Sequence, residues 1–261
     1  MKTAIIGAGN MGGAIARGFT QGTLIKAKDI VVSDPSNSML EALKVFNPSI
    51  QTTDSNQEAV NHAEMIIIAV KPWLVRDVVK QLTFDFSKQI IVSIAAGVSF
   101  SDYKEWLSPS ATIFRLVPNT AISQLASMTL IASMNATKEQ ETFVLNLFNE
   151  MGLAMLISEK QIPATTALTS CGIAYVLKYI QAAMQAGIEM GIYPKDAMKM
   201  VAQSVKGAAE LILNNDTHPS VEIDKVTTPG GITIKGVNEL EHGGFGSTVI
   251  KAIKASCQGL T

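Results

Sequence analysis

The sequence predicts an α/β protein in which an N-terminal doubly wound parallel sheet is followed by a wholly helical C-terminal domain. Three observations carry this expectation. Short β-branched and apolar runs alternate with stretches of helical spacing through the first 157 residues, the pattern of successive βαβ units. The first run breaks at Gly7-Ala8-Gly9-Asn10-Met11-Gly12, a G-x-G-x-x-G sequence in strand–turn–helix context. Near Ile162-Pro163 the β-type runs stop, and the remainder reads as helices punctuated by Gly and Pro. The expected boundaries are 1–160 for a dinucleotide-binding domain and 161–261 for a helical domain.

Residues 3–6 form the first expected strand and residues 14–20 continue as a helix. Of the motif glycines, the first permits the turn, the second lets a pyrophosphate reach backbone N–H groups, and the third lets helix and strand pack closely. Residues 29–33 read as a second strand ending at Ser33 and Asp34, about 20 residues beyond the last glycine, where a ribose-recognising side chain belongs. Asp34 suits a free 2′-hydroxyl and so NAD. Ser33, Ser36 and Asn37 offer donors for the 2′-phosphate of NADP, with no arginine nearby. Asp34 pointing away to cap the helix that Pro35 begins is the alternative. Residues 65–70, 90–94 and 112–117 are nearly continuous apolar runs, as expected of strands covered on both faces. Their ends, at Lys71-Pro72, Ala95-Ala96-Gly97 and Pro118-Asn119-Thr120, deliver polar or glycine-containing turns to one edge. Helices are expected at 57–62, 74–81 and 100–107. Residues 128–133, 138–150 and 154–157 complete the domain as strand, helix and strand.

Beyond it, helices are expected at 165–190, 194–214, 229–241 and 247–257. In the first, Lys178, Gln181, Gln185 and Glu189 share one narrow stripe and nearly every other face is apolar. A helix of that kind is buried. About 100 residues cannot cover it alone, so a second subunit is expected to, giving a homodimer.

Hydrophobic residues make up 47% of the 261 and charged residues only 16%, enough for a large core and an interface. A net charge of −1, with no basic run, argues against nucleic acid and anionic membranes as partners. Cys171 and Cys257 are far apart and the three histidines are scattered, so no metal site is expected. This cysteine usage suits a reducing compartment, and the expected location is cytoplasmic. The N-terminal apolar run is interrupted by glycines and Asn10, unlike a signal peptide. No uncharged stretch reaches the roughly 20 apolar residues of a membrane span.

One C-terminal stretch stands apart: Asp224-Lys225-Val226-Thr227-Thr228-Pro229-Gly230-Gly231-Ile232-Thr233. Thr228 followed by Pro229 reads as an N-cap and a first helical residue. Gly230 and Gly231 then fall in the first turn, where glycine disfavours helix by roughly 1 kcal/mol each. Bare glycine N–H groups at a positive helix end make a carboxylate or phosphate cradle, which offsets that cost. The alternative is a loop-to-helix junction with two flexible residues.

Together these residues resemble the pyrroline-5-carboxylate reductase family along the whole chain. The resemblance rests on the glycine motif, Ser55-Asn56, Ala69-Val70-Lys71-Pro72, Ser93-Ile94-Ala95-Ala96-Gly97-Val98, Val117-Pro118-Asn119-Thr120, His218-Pro219 and, most specifically, the 224–233 stretch. Ser170-Cys171-Gly172-Ile173 departs from the family's Gly-Ser-Gly-Pro, and Val117 and Ala121 replace a Met and a second Pro. These changes bear on local packing more than on chemistry.

The resemblance implies a Rossmann domain with a helical dimerisation domain, and hydride transfer from NADP(H), or NAD(H), to the C=N carbon of 1-pyrroline-5-carboxylate in the last step of proline biosynthesis. Residues implied to hold the cofactor are Gly7, Ala8, Gly9, Asn10, Met11, Gly12, Ser33, Asp34, Asn56, Ala69, Val70, Lys71, Pro72, Ala95, Gly97 and Asn119. Thr227, Thr228, Gly230, Gly231, Ile232 and Thr233 are implied to bind the cyclic imino acid, with Thr233 hydrogen-bonded to the ring nitrogen as it becomes an amine. The expected assembly is a homodimer, open to a higher oligomer of dimers. Two rivals share the architecture: a β-hydroxyacid dehydrogenase using Lys178 as its acid, and a non-catalytic NAD(P) sensor.

Overall fold

The computed structural model describes residues 1–259, and Leu260 and Thr261, the end of the expected helical domain, lie outside the described residues. The chain divides into two compact units, Met1–Ser170 and Cys171–Gly259.

The first unit is an eight-stranded sheet in the order β3-β2-β1-β4-β5-β6-β7-β8, with β1 Thr3–Ile6, β2 Ile30–Ser33, β3 Gln51–Thr53, β4 Met65–Ile68, β5 Ile90–Ser93, β6 Thr112–Val117, β7 Ser127–Met134 and β8 Gly152–Leu156. Helices α1 Asn10–Phe19, α2 Asn37–Phe46, α3 Asn56–Val60, α4 Val75–Gln81, α5 Phe100–Trp106, α6 Lys138–Asn149 and α7 Ile162–Thr169 accompany it. Alternate residues of β1 and β4 enter different cores: Ile5, Met65 and Ile67 join one, Ala4, Ile6, Ile66 and Ile68 the other. That two-sided burial is why these strands read as unbroken apolar runs.

Two features differ from expectation. The edge strand β3 has no apolar signal, since its three residues Gln51, Thr52 and Thr53 are none of them buried. The sheet is also not wholly parallel, because β7 runs antiparallel to β6. The link between them holds only a 3-10 turn, Thr120–Gln124, closed by Leu125 in the left-handed region. A parallel return needs a crossover of a dozen or more residues, and none is available here.

The second unit contains α8 Gly172–Glu189, α9 Pro194–Asn215, α10 Pro219–Val226, α11 Ile232–His242 and α12 Phe245–Gln258. The helix expected over 165–190 is broken at Ser170-Cys171 into α7 and α8. At the break the Ser170 hydroxyl donates to the Pro118 carbonyl at 3.4 Å, while Ser170 and Cys171 keep helical backbone angles. Where α8 meets α9, a Cβ on Gly187 would lie 3.2 Å from that of Ala197, so the small residues set a close approach. Tyr175 joins α8 to α12 by donating to the Ala252 carbonyl at 3.3 Å and by a hydroxyl–hydroxyl bond with Ser256. No helix among the described residues is long and apolar enough to cross a membrane.

Candidate active site

The carboxyl ends of β1, β2, β4 and β5 open onto a cleft of about 690 Å³. Gly7, Gly9, Asn10, Met11, Ser33, Asp34, Asn56, Ala69, Val70, Lys71, Pro72 and Ala95 all line it. The three motif glycines show the three roles a dinucleotide requires. Gly7 has φ +106°, and a Cβ there would meet the Ala69 carbonyl oxygen at 2.8 Å. A Cβ on Gly12 would lie 2.0 Å from the Gly7 carbonyl oxygen, so helix and strand could not close. Gly9, by contrast, would meet nothing within 4 Å, leaving an open path to the backbone. Helix α1 begins beyond Gly9 with no side-chain cap and no acidic residue in its first turn. Its N-terminal N–H groups and positive dipole end are therefore available to a pyrophosphate. The residues fit a nicotinamide dinucleotide.

The second strand end is tied to this loop. Gly7 N–H donates to the Ser33 carbonyl at 2.7 Å, and Ser33 Oγ donates to Asn56 Oδ1 at 2.7 Å. One oxygen of Asp34 accepts the Ala8 N–H at 2.7 Å and the other accepts the Ser36 N–H at 2.8 Å. Asp34 thus braces the glycine loop and the entry to α2 while still lining the cleft, so Ala8 contributes through its tie to Asp34 and is not itself a lining residue. The carboxylate lines the cleft at the end of β2, where the ribose of a dinucleotide is expected. Asp34→Ser is expected to raise the ratio of kcat/KM for NADPH over NADH by about tenfold, the scale of one charge–charge contact. An unchanged ratio would mean that the carboxylate acts on the loop alone.

Gly12, which sets the packing of α1 on β1, does not line the cleft either, and two more expected cofactor residues lie elsewhere. Asn119 is buried, with 5% exposure; its Oδ1 accepts the Ala121 N–H and its Nδ2 donates to the Thr169 carbonyl at 3.4 Å. It ties the end of β6 to α7 and does not line the cleft. Gly97, at φ +77°, lines a neighbouring cavity of about 340 Å³ with Arg115, Glu159 and Pro163, which shares Ala95 and Ala96 with the cleft. Pro35, Leu74, Val78, Ile94 and Ala96 also line the cleft and were not anticipated. Leu74 and Val78 stand four apart, one turn of helix, which was a readable signal.

The C-terminal stretch is built differently from the expected helix start. Helix α11 begins at Ile232 with Gly231 as its N-cap. Residues 228–231 form a turn before it, closed by Gly231 N–H donating to the Thr228 carbonyl at 2.9 Å, with Gly230 at φ +72°. Proline at the second position and a left-handed glycine at the third are the marks of a type II turn. The donors move accordingly. Gly231 spends its N–H within the turn, and the first-turn N–H groups of Ile232, Thr233 and Ile234 are the ones without intrahelical partners. The Thr233 hydroxyl carries no hydrogen bond among the described residues, and the residue is exposed. Thr227 instead caps the preceding helix, donating to the Ile223 carbonyl at 3.1 Å. At the other end of α10, Glu222 accepts from Lys225 and Thr217 at 2.7 and 2.6 Å, and those hydrogen bonds hold its carboxyl below the usual range. Lys178 is exposed and donates to Gln181 at 3.0 Å within its own stripe.

A doubly wound sheet, a complete glycine cradle and a cleft of this size define a nicotinamide-dependent oxidoreductase. Residues 2–97 match the family model "NADP oxidoreductase coenzyme F420-dependent", and residues 159–260 match "Pyrroline-5-carboxylate reductase dimerisation". The chain is 38% identical to pyrroline-5-carboxylate reductase 2 of Dictyostelium discoideum over 98% of its own length and 90% of that protein. It is also 38% identical to pyrroline-5-carboxylate reductase 1 of the same organism over 97% of its length, spanning 48% of that longer protein. A Plasmodium falciparum pyrroline carboxylate reductase crystallised with NADP bound superposes with a TM-score of 0.87 at 28% identity, over 99% of this chain and 96% of that one. The chain belongs to the pyrroline-5-carboxylate reductase family.

Proposed function

We propose that the chain reduces 1-pyrroline-5-carboxylate to L-proline, the last step of proline biosynthesis, with NADPH as donor and NADH as an alternative. The observation that carries this reading is the pairing, in one chain of this family, of a dinucleotide cradle in the first unit with a separate turn-and-helix N-terminus in the second. The bound nicotinamide supplies the hydride. The protein's own residues orient the reactants, for which well-placed binding contributes more than any acid. A cyclic imine is basic enough to be substantially protonated near neutral pH, so the chain needs no strong proton donor.

The N–H groups of Ile232 and Thr233 hold the substrate carboxylate, Gly231 leaves room for it, and Gly230 sets the turn. The Thr233 hydroxyl hydrogen-bonds the ring nitrogen as it becomes an amine. Thr227 and Thr228 support the turn through backbone and helix-end hydrogen bonds. In this scheme Thr233→Ala lowers kcat about tenfold and leaves the NADPH Kd unchanged; unaltered kinetics would remove Thr233 from the mechanism.

Residues 1–160 serve as the dinucleotide-binding domain and 161–261 as the dimerisation and substrate-binding domain. The apolar second unit supports a homodimer, with a higher oligomer of dimers built on it, working in the cytoplasm. The assay that tests the function is NADPH and NADH oxidation with 1-pyrroline-5-carboxylate, run beside 3-hydroxy acids in the oxidative direction. Turnover of hydroxy acids alone, abolished by Lys178→Ala, would replace this reading with the dehydrogenase. The expected result is imine turnover that Lys178→Ala leaves within about twofold, as for an exposed surface substitution.

A further inference from the structure

The turn at residues 95–97 contributes Ala95 and Ala96 to the wall of the cofactor cleft, and something beneath it determines where that wall stands. Ser93, the last residue of β5, is 2% exposed, and Tyr103, in α5, is 0% exposed. The Tyr103 hydroxyl donates to Ser93 Oγ at 2.6 Å, and the Ala95 N–H donates to the same oxygen at 3.3 Å. A serine hydroxyl has two acceptor lone pairs, and both are taken. One buried oxygen therefore links a tyrosine in the core to the first residue of the turn.

The platform holding Tyr103 is itself fixed. Ser99 and Asp102 form a reciprocal capping box at the start of α5. The Phe100 N–H donates to Glu159 at 2.7 Å, and Glu159 also pairs with the nearly buried Arg115. The Tyr103 ring packs edge-on against Trp106 with centroids 5.8 Å apart, a contact that phenylalanine would keep. The hydroxyl is the one part of the side chain whose bond leads to the cleft. Burial pushes its pKa up to about 12, so it stays a donor throughout neutral and moderately alkaline conditions.

We propose that Tyr103, acting through Ser93, is a positioning residue that fixes residues 95–97 in the conformation that receives the cofactor. This deepens the reductase reading and rests on it for the identity of the ligand. The arrangement parallels that at the end of β2, where the buried Ser33 hydroxyl is bonded to Asn56; in each case a strand-end serine is bonded to a cleft-lining residue.

The test compares full-length Tyr103→Phe, Ser93→Ala and the double variant with the unaltered protein. Three quantities are measured: amide hydrogen exchange at Ala95 without ligand, NADPH Kd by fluorescence titration, and kcat and KM with 1-pyrroline-5-carboxylate. Tyr103→Phe is expected to accelerate Ala95 exchange and raise the NADPH Kd about fivefold, the size of one hydrogen bond, with kcat at saturating cofactor within about twofold. The double variant should lose no more than the worse single one, because both cut the same relay. An unchanged Kd and exchange rate in Tyr103→Phe, or additive losses in the double variant, would overturn the proposal. If Ser93→Ala fails to fold, Tyr103→Phe decides alone by the same exchange and Kd criteria. Protein that binds NADPH but reduces no imine would remove the reductase reading and leave the relay standing, since neither Kd nor exchange depends on turnover.

Discussion

Gly231→Asp is expected to raise the KM for 1-pyrroline-5-carboxylate by about 100-fold or more, because under the proposed binding mode a carboxylate would then stand beside the substrate's own, and like charges so juxtaposed cost several kcal/mol. The helix itself should survive, since aspartate is a favoured N-cap and Gly231 is the N-cap of α11. Part of the loss is steric. A Cβ at this position would sit 2.6 Å from Thr228 Oγ1, a side-chain atom that can rotate, and 3.0 Å from the Thr228 carbonyl oxygen, which is less free to move. Gly231→Ala separates the two causes: it imposes the crowding without the charge, and a substantially smaller KM increase is expected. Cofactor affinity, by fluorescence titration, should be unaffected in both. Equal losses of imine and NADPH binding would show that the two anion cradles are not separate.

The second large effect belongs to Gly12. An added methyl would stand 2.0 Å from the Gly7 carbonyl oxygen and 2.9 Å from Ala69 Cβ, so β1 and α1 would have to move apart. Overpacking of this kind costs about 1–3 kcal/mol and occasionally more. Gly12→Ala should therefore lower Tm and abolish NADPH binding together. Gly9→Ala supplies the contrast. Its Cβ would meet no atom within 4 Å and its backbone, at φ −61°, suits any residue. Tm should be unchanged or slightly raised, while the NADPH Kd rises about tenfold or more because the methyl fills the space a pyrophosphate must enter. A Tm loss in Gly9→Ala would mean that the loop is tighter without ligand than its geometry shows.

These contrasts also explain what the sequence could and could not disclose. The glycine loop was legible because each glycine answers to a backbone requirement a few residues away. Apolar strands were legible because burial on both faces leaves short continuous β-branched runs bounded by glycine, proline or polar turns. The turn before α11 was misread for a physical reason: proline's fixed φ suits the first helical position and the second turn position equally. Only the left-handed Gly230 distinguishes them, and glycine permits that conformation without announcing it. Asn119 illustrates a different limit. Its partners include Ser127, whose hydroxyl accepts its N–H, and the Thr169 carbonyl 50 residues away, and no local pattern shows that a strand-end asparagine is committed to such distant groups. Asp34 fell between the two cases: α2 starts at Asn37 with Ser36 as its N-cap, not at Pro35, and the Asp34 carboxylate instead accepts the Ser36 and Ala8 N–H groups while lining the cleft.

The second unit has a further consequence for how the protein behaves in a test tube. From Cys171 to Gly259 only Gly187 and Ala197 are buried in the single chain, while Tyr193 is 79% exposed and Ile232, the first residue of α11, is 87% exposed. Apolar surface of this extent on a dimerisation domain marks it for association, so α11 is expected to draw part of its stability from a second copy. Dilution should act as an inhibitor: specific activity falls and Tm drops as the concentration approaches the dimer dissociation constant, with the imine KM deteriorating before the NADPH Kd does.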